Sequence, residues 1–270
     1  MAMNPELPSG TESPFGAPPE DSPRFNLWNE ARFLWHVARP RAVSLDRTGT
    51  SNTRHVVLLH GWHSTEIQMR AWHKALQDVD GDRSVWRLSY DTHWKSFSRS
   101  ARHVMAALKA QQVEWDDVVL IGYSMGGIVA RQMIAYGFPA RNLVTLCSPH
   151  HGALKWSPLR LPIMTDPGAS TLSEWSPSLR RLNAHPRDKA MRAKYHLMAI
   201  TFRDKRGEHD HDGIVGRPSA EGVELGEVAS RLHLRFDYGK RAFFTDPHML
   251  GMSPQAVPTM AERIKNVLRA

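Results

Sequence analysis

The sequence predicts an α/β fold, a mostly parallel sheet of about six strands flanked by helices and carrying an inserted lid. Three observations lead there. Short apolar runs alternate with helix-period patterns from Arg54 onward; one of those runs passes through a glycine-flanked serine straight into a helix start; and a single long connection, rich in large apolar residues, breaks the alternation. A chain of 270 residues that is 41% hydrophobic and 23% charged can bury one sizeable core, which excludes a fibrous or disorder-dominated protein.

Residues 1–23 carry Pro5, Pro8, Pro14, Pro18, Pro19 and Pro23 with little apolar content and are expected to be a disordered tail. Residues 24–53 read as an amphipathic extension. From Phe25 to Arg39, Leu27, Ala31, Leu34, Trp35 and Ala38 share one helical face, with Asn29, Arg32, His36 and Arg39 opposite. Packing on the main domain is the plain expectation for this helix, while Trp28 and Trp35 beside arginines keep peripheral membrane contact or partner docking open. The main domain then runs over 54–270. Its strands are His55–Leu59, Val85–Tyr90, Val118–Ile121, Leu143–Leu146 and His196–Ile200, each short, apolar and bounded by loop signals, as buried parallel strands are. Helical patterns lie between them: Ile67, Ala71, Trp72, Ala75, Leu76 and Val79; Phe97, Ala101, Val104 and Leu108; and Ile128 through Ala135. The alternating Leu232, Leu234 and Phe236 supply a sixth strand, and Val257, Met260, Ile264 and Val267 share one face of a closing helix.

The exceptional connection lies between Leu146 and His196. It holds Trp156, Leu159, Leu161, Ile163, Met164, Leu172, Trp175, Leu179 and Leu182 among prolines and glycines, too many large apolar residues for a disordered loop. Residues 153–190 are therefore expected to form a lid in which Trp156, Leu161, Ile163, Met164 and Trp175 contact substrate, with a purely structural subdomain as the alternative.

The formal charge of +8 would attract anionic partners, but the arginines are scattered and no nucleic-acid module is present, so no nucleic-acid partner is expected. Cys147 is the only cysteine, which rules out an intrachain disulfide and a cysteine-based metal framework. No signal-like start and no membrane-length apolar run is present; the expectation is a soluble cytoplasmic protein, with membrane contact through the N-terminal helix or the lid left open.

Chemistry concentrates at Gly122-Tyr123-Ser124-Met125-Gly126, directly after the run Asp117–Ile121. A serine on a sharp strand-to-helix turn has a strained backbone and needs side-chain-free flanks, and the helix that follows aims its N-terminal amides at the place where an oxyanion would develop. Four further segments accompany it: His55-Val56-Val57-Leu58-Leu59-His60-Gly61-Trp62; Ser148-Pro149-His150-His151-Gly152 after the strand Leu143–Leu146; Trp175 to Asn183; and His209-Asp210-His211-Asp212-Gly213-Ile214-Val215-Gly216. After Asp212 the only histidines are His233, which sits mid-strand, and His248, in a loop before the last helix.

With these segments the chain resembles the α/β-hydrolase superfamily, and within it the bacterial lipases and esterases. The resemblance implies Ser124 as nucleophile, Asp212 as acid and His248 as base, in the hydrolase chain order. It implies the backbone N–H groups of Trp62 and Met125 as the oxyanion hole, and a loop-ordering role for the His60 imidazole. Asp210 is the fallback acid. A metal cluster of His209, Asp210, His211 and Asp212 is a rival reading of the same loop. Some bacterial lipases place a calcium-binding aspartate two residues after the histidine; Leu250 stands there, so no metal and no cofactor is expected. The implied activity is hydrolysis of carboxylic esters, with lipid or acyl esters favoured by the apolar lid. Thioesterase, amidase and acyltransferase chemistry use the same parts, and a non-catalytic binding protein on the same fold stays open.

Overall fold

Among the described residues eight strands form one sheet in the order β1-β3-β2-β4-β5-β6-β7, with β8 also paired to β6. They are β1 Ser44–Thr48, β2 Arg54–Leu59, β3 Ser84–Ser89, β4 Asp117–Tyr123, β5 Asn142–Leu146, β6 Tyr195–Asp204, β7 Gly207–His209 and β8 Ser230–Asp237. The computed structural model describes residues 43–77, 83–93, 95–153, 166–237 and 246–270. The expected tail and amphipathic helix, and the lid residues Trp156, Leu161, Ile163 and Met164, lie outside the described residues.

All neighbours from β3 to β8 across the centre pair in parallel; β1 and β7 are the antiparallel additions. These two account for the difference from the six strands read in the sequence. Their residues carry no apolar run, because each lies at a margin of the sheet. In β1 the polar side chains are the cross-strand contacts themselves: Asp46 pairs with Arg87 at 2.5 Å, and the Arg47 guanidinium lies 4.8 Å from the centroid of the Trp86 ring. The sheet thus includes Ser44–Thr48, upstream of the Arg54 start expected from the apolar pattern.

The period of two in the strands sorts the core into two layers. Val57, Leu59, Trp86, Leu88 and Leu120 face helices α2 (Phe97–Lys109) and α3 (Met125–Ala135). Val56, Leu58, Val119, Ile121 and Val144 face α1 (Arg70–Leu76) and the last helix, α9 (Pro258–Arg269). In β8, Leu232, Leu234 and Phe236 pack on the second layer while Arg231, His233 and Arg235 remain exposed, the alternation of an edge strand with one covered face.

Within the long connection lie α4 (Pro167–Ser170), α5 (Pro177–Ala184) and α6 (Pro186–Met191). Leu172, Leu179 and Leu182, whose apolar character helped to suggest a lid, are buried in the same layer as α3. This part of the connection is therefore scaffold. A buried polar network fixes it: Asp188 accepts from Arg131 Nε at 2.9 Å and Nη2 at 2.8 Å, from Arg192 and from the Tyr195 hydroxyl at 2.9 Å. Both Arg131 and Asp188 are fully buried. Removing one partner of such a pair strands the other charge in a low-dielectric interior, so Asp188→Ala is expected to cost about 3–5 kcal/mol of stability in denaturant melts.

Candidate active site

Ser124 sits between β4 and α3 with φ 52° and ψ −124°, a conformation that L-residues rarely adopt. The turn is tight enough to demand its glycines. A Cβ on Gly122 would fall 2.4 Å from the Gly127 nitrogen, and one on Gly126 would fall 2.2 Å from the Leu59 carbonyl oxygen. The backbone N–H of Ser124 donates to the Leu146 carbonyl at 2.8 Å, tying the turn to β5.

His248, on α8 (Asp246–Leu250), and Asp212, in the loop between β7 and α7 (Arg217–Ala220), meet at this turn. His248 Nε2 lies 3.0 Å from Ser124 Oγ, and His248 Nδ1 lies 2.6 Å from Asp212 Oδ2. The other carboxylate oxygen accepts the N–H groups of Ile214 at 3.0 Å and Val215 at 2.7 Å, so the Asp-Gly-Ile-Val loop aims the acid by wrapping its backbone round it. Asp212 is fully buried and His248 nearly so. With Nδ1–H directed at the carboxylate, Nε2 is left as acceptor for the serine hydroxyl, the tautomer a general base needs.

The remaining sequence candidates fall elsewhere. His233 shares a hydrogen bond of 2.7 Å with Thr201 Oγ1 on the sheet edge. Asp210 pairs with Arg217 at 2.5 Å on the exposed side of the loop. His209 bonds Asp204, and His211 Nδ1 accepts from the Gly213 N–H, so the four residues His209 to Asp212 engage four different partners. Gly61, which precedes Trp62, packs against Ser124, since a Cβ there would meet Ser124 Cβ at 3.1 Å, and Met125 opens α3. The His60 imidazole is buried, donates from Nδ1 to the Gly61 carbonyl at 2.8 Å and accepts the Tyr90 N–H at Nε2, so it orders the loop. His150 is likewise structural. Burial, with Arg131 beside it, holds its pKa well below the ordinary value, and it bridges Arg131 and Thr145. Trp175 is 62% exposed, in the turn before α5.

Residues 56–263 match the family model described as the alpha/beta hydrolase family. The chain belongs to that family. Its hydrolase fold is similar to that of Bacillus licheniformis lipase BlEst2 in mature form, at 14% identity over 82% of this chain and 98% of that one, with a TM-score of 0.59. It is also similar to a monoacylglycerol lipase from Paleococcus ferrophilus (13% identity, 84% and 98% covered, TM-score 0.53) and to a hydrolase from Pseudomonas aeruginosa (15% identity, 84% and 94% covered, TM-score 0.53). At such identities the likeness is one of fold. No curated protein matches the chain in sequence. Among the described residues no helix is long and apolar enough to cross a membrane.

Two supports of this hydrolase site escape sequence reading. Tyr123, whose hydroxyl burial keeps protonated, donates to the His248 carbonyl at 2.9 Å, and the Trp72 indole donates to the Gly251 carbonyl at 2.8 Å, so the histidine segment is held from β4 and α1. Both look like ordinary core aromatics until their partners are known. Cys147, read as an inert buried thiol, is fully buried and lies with Asp212 and His248 in a group whose ligand atoms are all within 4.8 Å of one another. Burial, and then the charge and hydrogen bonding of Asp212, push its thiol well above the usual range. Since the thiolate is the reactive form, a disulfide reagent at neutral pH is expected to leave Cys147 unmodified in the native protein and to titrate it fully in denaturant. Among the described residues a second group converges as closely: His63, His93 and Asp166.

Proposed function

We propose that this hydrolase cleaves carboxylic esters through an acyl-enzyme on Ser124, with His248 as general base and Asp212 as its orienting acid. The observation that carries the reading is the continuous relay of 3.0 Å and 2.6 Å contacts ending on a serine in a strained turn. In the first step Ser124 Oγ attacks the carbonyl carbon as its proton passes to His248 Nε2, and Asp212 stabilises the imidazolium. The oxyanion is received by the N–H groups of Met125 and Trp62, each worth on the order of 3 kcal/mol in the transition state. Collapse expels the alcohol, which takes the proton from His248. Water then repeats the sequence on the acyl carbon, releasing the acid and restoring Ser124.

The substrate class we favour is an acyl or lipid ester. Met249, next to His248, is 40% exposed and Trp175 is 62% exposed, apolar surface that an acyl chain can cover. A panel of esters, thioesters and amides of matched acyl groups tests the reaction class: esters are expected to be turned over fastest, and a stronger rate with thioesters or amides would displace the ester reading. Lid residues named from the sequence give the chain-length test. Trp156→Ser with Ile163→Ser is expected to lower kcat/KM for long-chain esters much more than for acetate esters, because apolar burial contributes about 25 cal/mol per Å² only where there is chain to bury. Equal losses on both substrates would make the segment scaffold.

A further inference from the structure

The group formed by His63, His93 and Asp166 has no part in the proposed reaction. His63 follows Trp62 in the loop after β2 and holds a left-handed φ of 52°. His93 lies in the loop after β3, its backbone N–H held by Asp91 Oδ1 at 3.1 Å. Asp166 caps α4, and its two oxygens differ in kind. Oδ1 is saturated, accepting Gly168 N–H at 2.6 Å, Ala169 N–H at 3.0 Å and the Trp62 indole N–H at 3.2 Å. Oδ2 is buried and takes no part in the cap; it faces both imidazoles, with His63 Nε2 3.7 Å away and His93 Nδ1 in closer contact.

The Asp166 side chain is only 7% exposed, so a carboxylate charge sits in a nearly dry site with a spare oxygen lone pair aimed at two ring nitrogens. His63 Nε2 also touches His93 Nδ1 directly. When both imidazoles carry their proton on the far ring nitrogen, the two facing nitrogens direct lone pairs into the same small space as the carboxylate. In that tautomeric form the cluster offers three lone pairs beside a carboxylate charge, and a cation that accepts all three at once complements it.

We infer that His63 Nε2, His93 Nδ1 and Asp166 Oδ2 form a divalent transition-metal site of the zinc type, a water completing the ligand set. The donor atoms lie within 4.8 Å of one another, and a tetrahedral ion about 2.0–2.2 Å from each needs its ligands roughly 3.3 Å apart. Only small side-chain movements separate the two arrangements. The imidazoles are 16% and 21% exposed, enough for an ion and a water to reach them. Asp166 Oδ1 supplies the outer support such a site needs, since the helix cap and the Trp62 indole fix the carboxylate that binds. An ion here ties the loop after β2, the loop after β3 and the start of α4 together, directly beside the Trp62 backbone. The site is independent of whether Ser124 is a nucleophile.

The test uses the full chain, stripped with chelator and then titrated with Zn²⁺ and, separately, Co²⁺. Expected are about one ion bound per chain, a rise in Tm with Zn²⁺, and the visible d–d absorption of a tetrahedral Co²⁺ site. His93→Gln and Asp166→Asn each remove one ligand, the second while keeping the capping oxygen, and each is expected to weaken Zn²⁺ binding at least tenfold and abolish the Co²⁺ spectrum. Circular dichroism of the metal-free variants identifies any that fail to fold, and His63→Gln then replaces them. No ion bound by the wild type, or equal binding by wild type and folded variants, overturns the site.

Discussion

Ser124→Ala is expected to abolish ester turnover, with a loss on the order of 10⁴-fold or more in kcat, and to abolish labelling by a fluorophosphonate probe. The size follows from what is removed: one oxygen atom that is both the attacking group and the donor to His248 Nε2 at 3.0 Å. Stability should change little. The hydroxyl occupies no hydrophobic cavity, and alanine meets the same backbone strain at φ 52° that serine does. Steady-state kinetics alongside a thermal melt separates the two effects. A variant that keeps a tenth of the wild-type rate would remove Ser124 from the mechanism, and a folded wild type that neither turns over esters nor labels would return the chain to the class of non-catalytic binding proteins.

The second large effect distinguishes two carboxylates only two residues apart. Asp212→Asn is expected to lower kcat by about 10⁴-fold, because an amide facing His248 Nδ1 no longer selects the tautomer that leaves Nε2 as acceptor. Its backbone bonds from Ile214 and Val215 can survive on the remaining oxygen, so the variant should fold. Asp210→Asn, by contrast, should change kcat less than severalfold, since its side chain is 61% exposed and engaged with Arg217 on the surface. Comparable losses from the two substitutions would sink the assignment of Asp212.

What the sequence determined by itself is whatever is encoded within a few neighbouring residues. The short apolar run Val56 to Leu59 and the helical periods of α2 and α9 define elements that are buried, because burial acts on each short segment alone. The glycines at 122 and 126 announce the turn, since their missing Cβ atoms are a local steric requirement. Ser124, Asp212 and His248 were named through the resemblance of their short segments to those of hydrolases, and the three side chains meet in the structure. Residues whose meaning lies in a distant partner were not legible. β1 shows no apolar pattern because its contacts are Asp46 to Arg87 and Arg47 to Trp86, polar pairs that exist only once the strands are side by side. Leu172, Leu179 and Leu182 read as lid, since apolarity says that a side chain will be buried but not against what. Tyr123 and Trp72 as props of the histidine segment, Cys147 beside Asp212, and the meeting of His63, His93 and Asp166 were decided by tertiary structure alone. A ligand set or a hydrogen bond depends on interatomic distances of a few ångströms, and between segments tens of residues apart only the packed sheet and its loops set those distances.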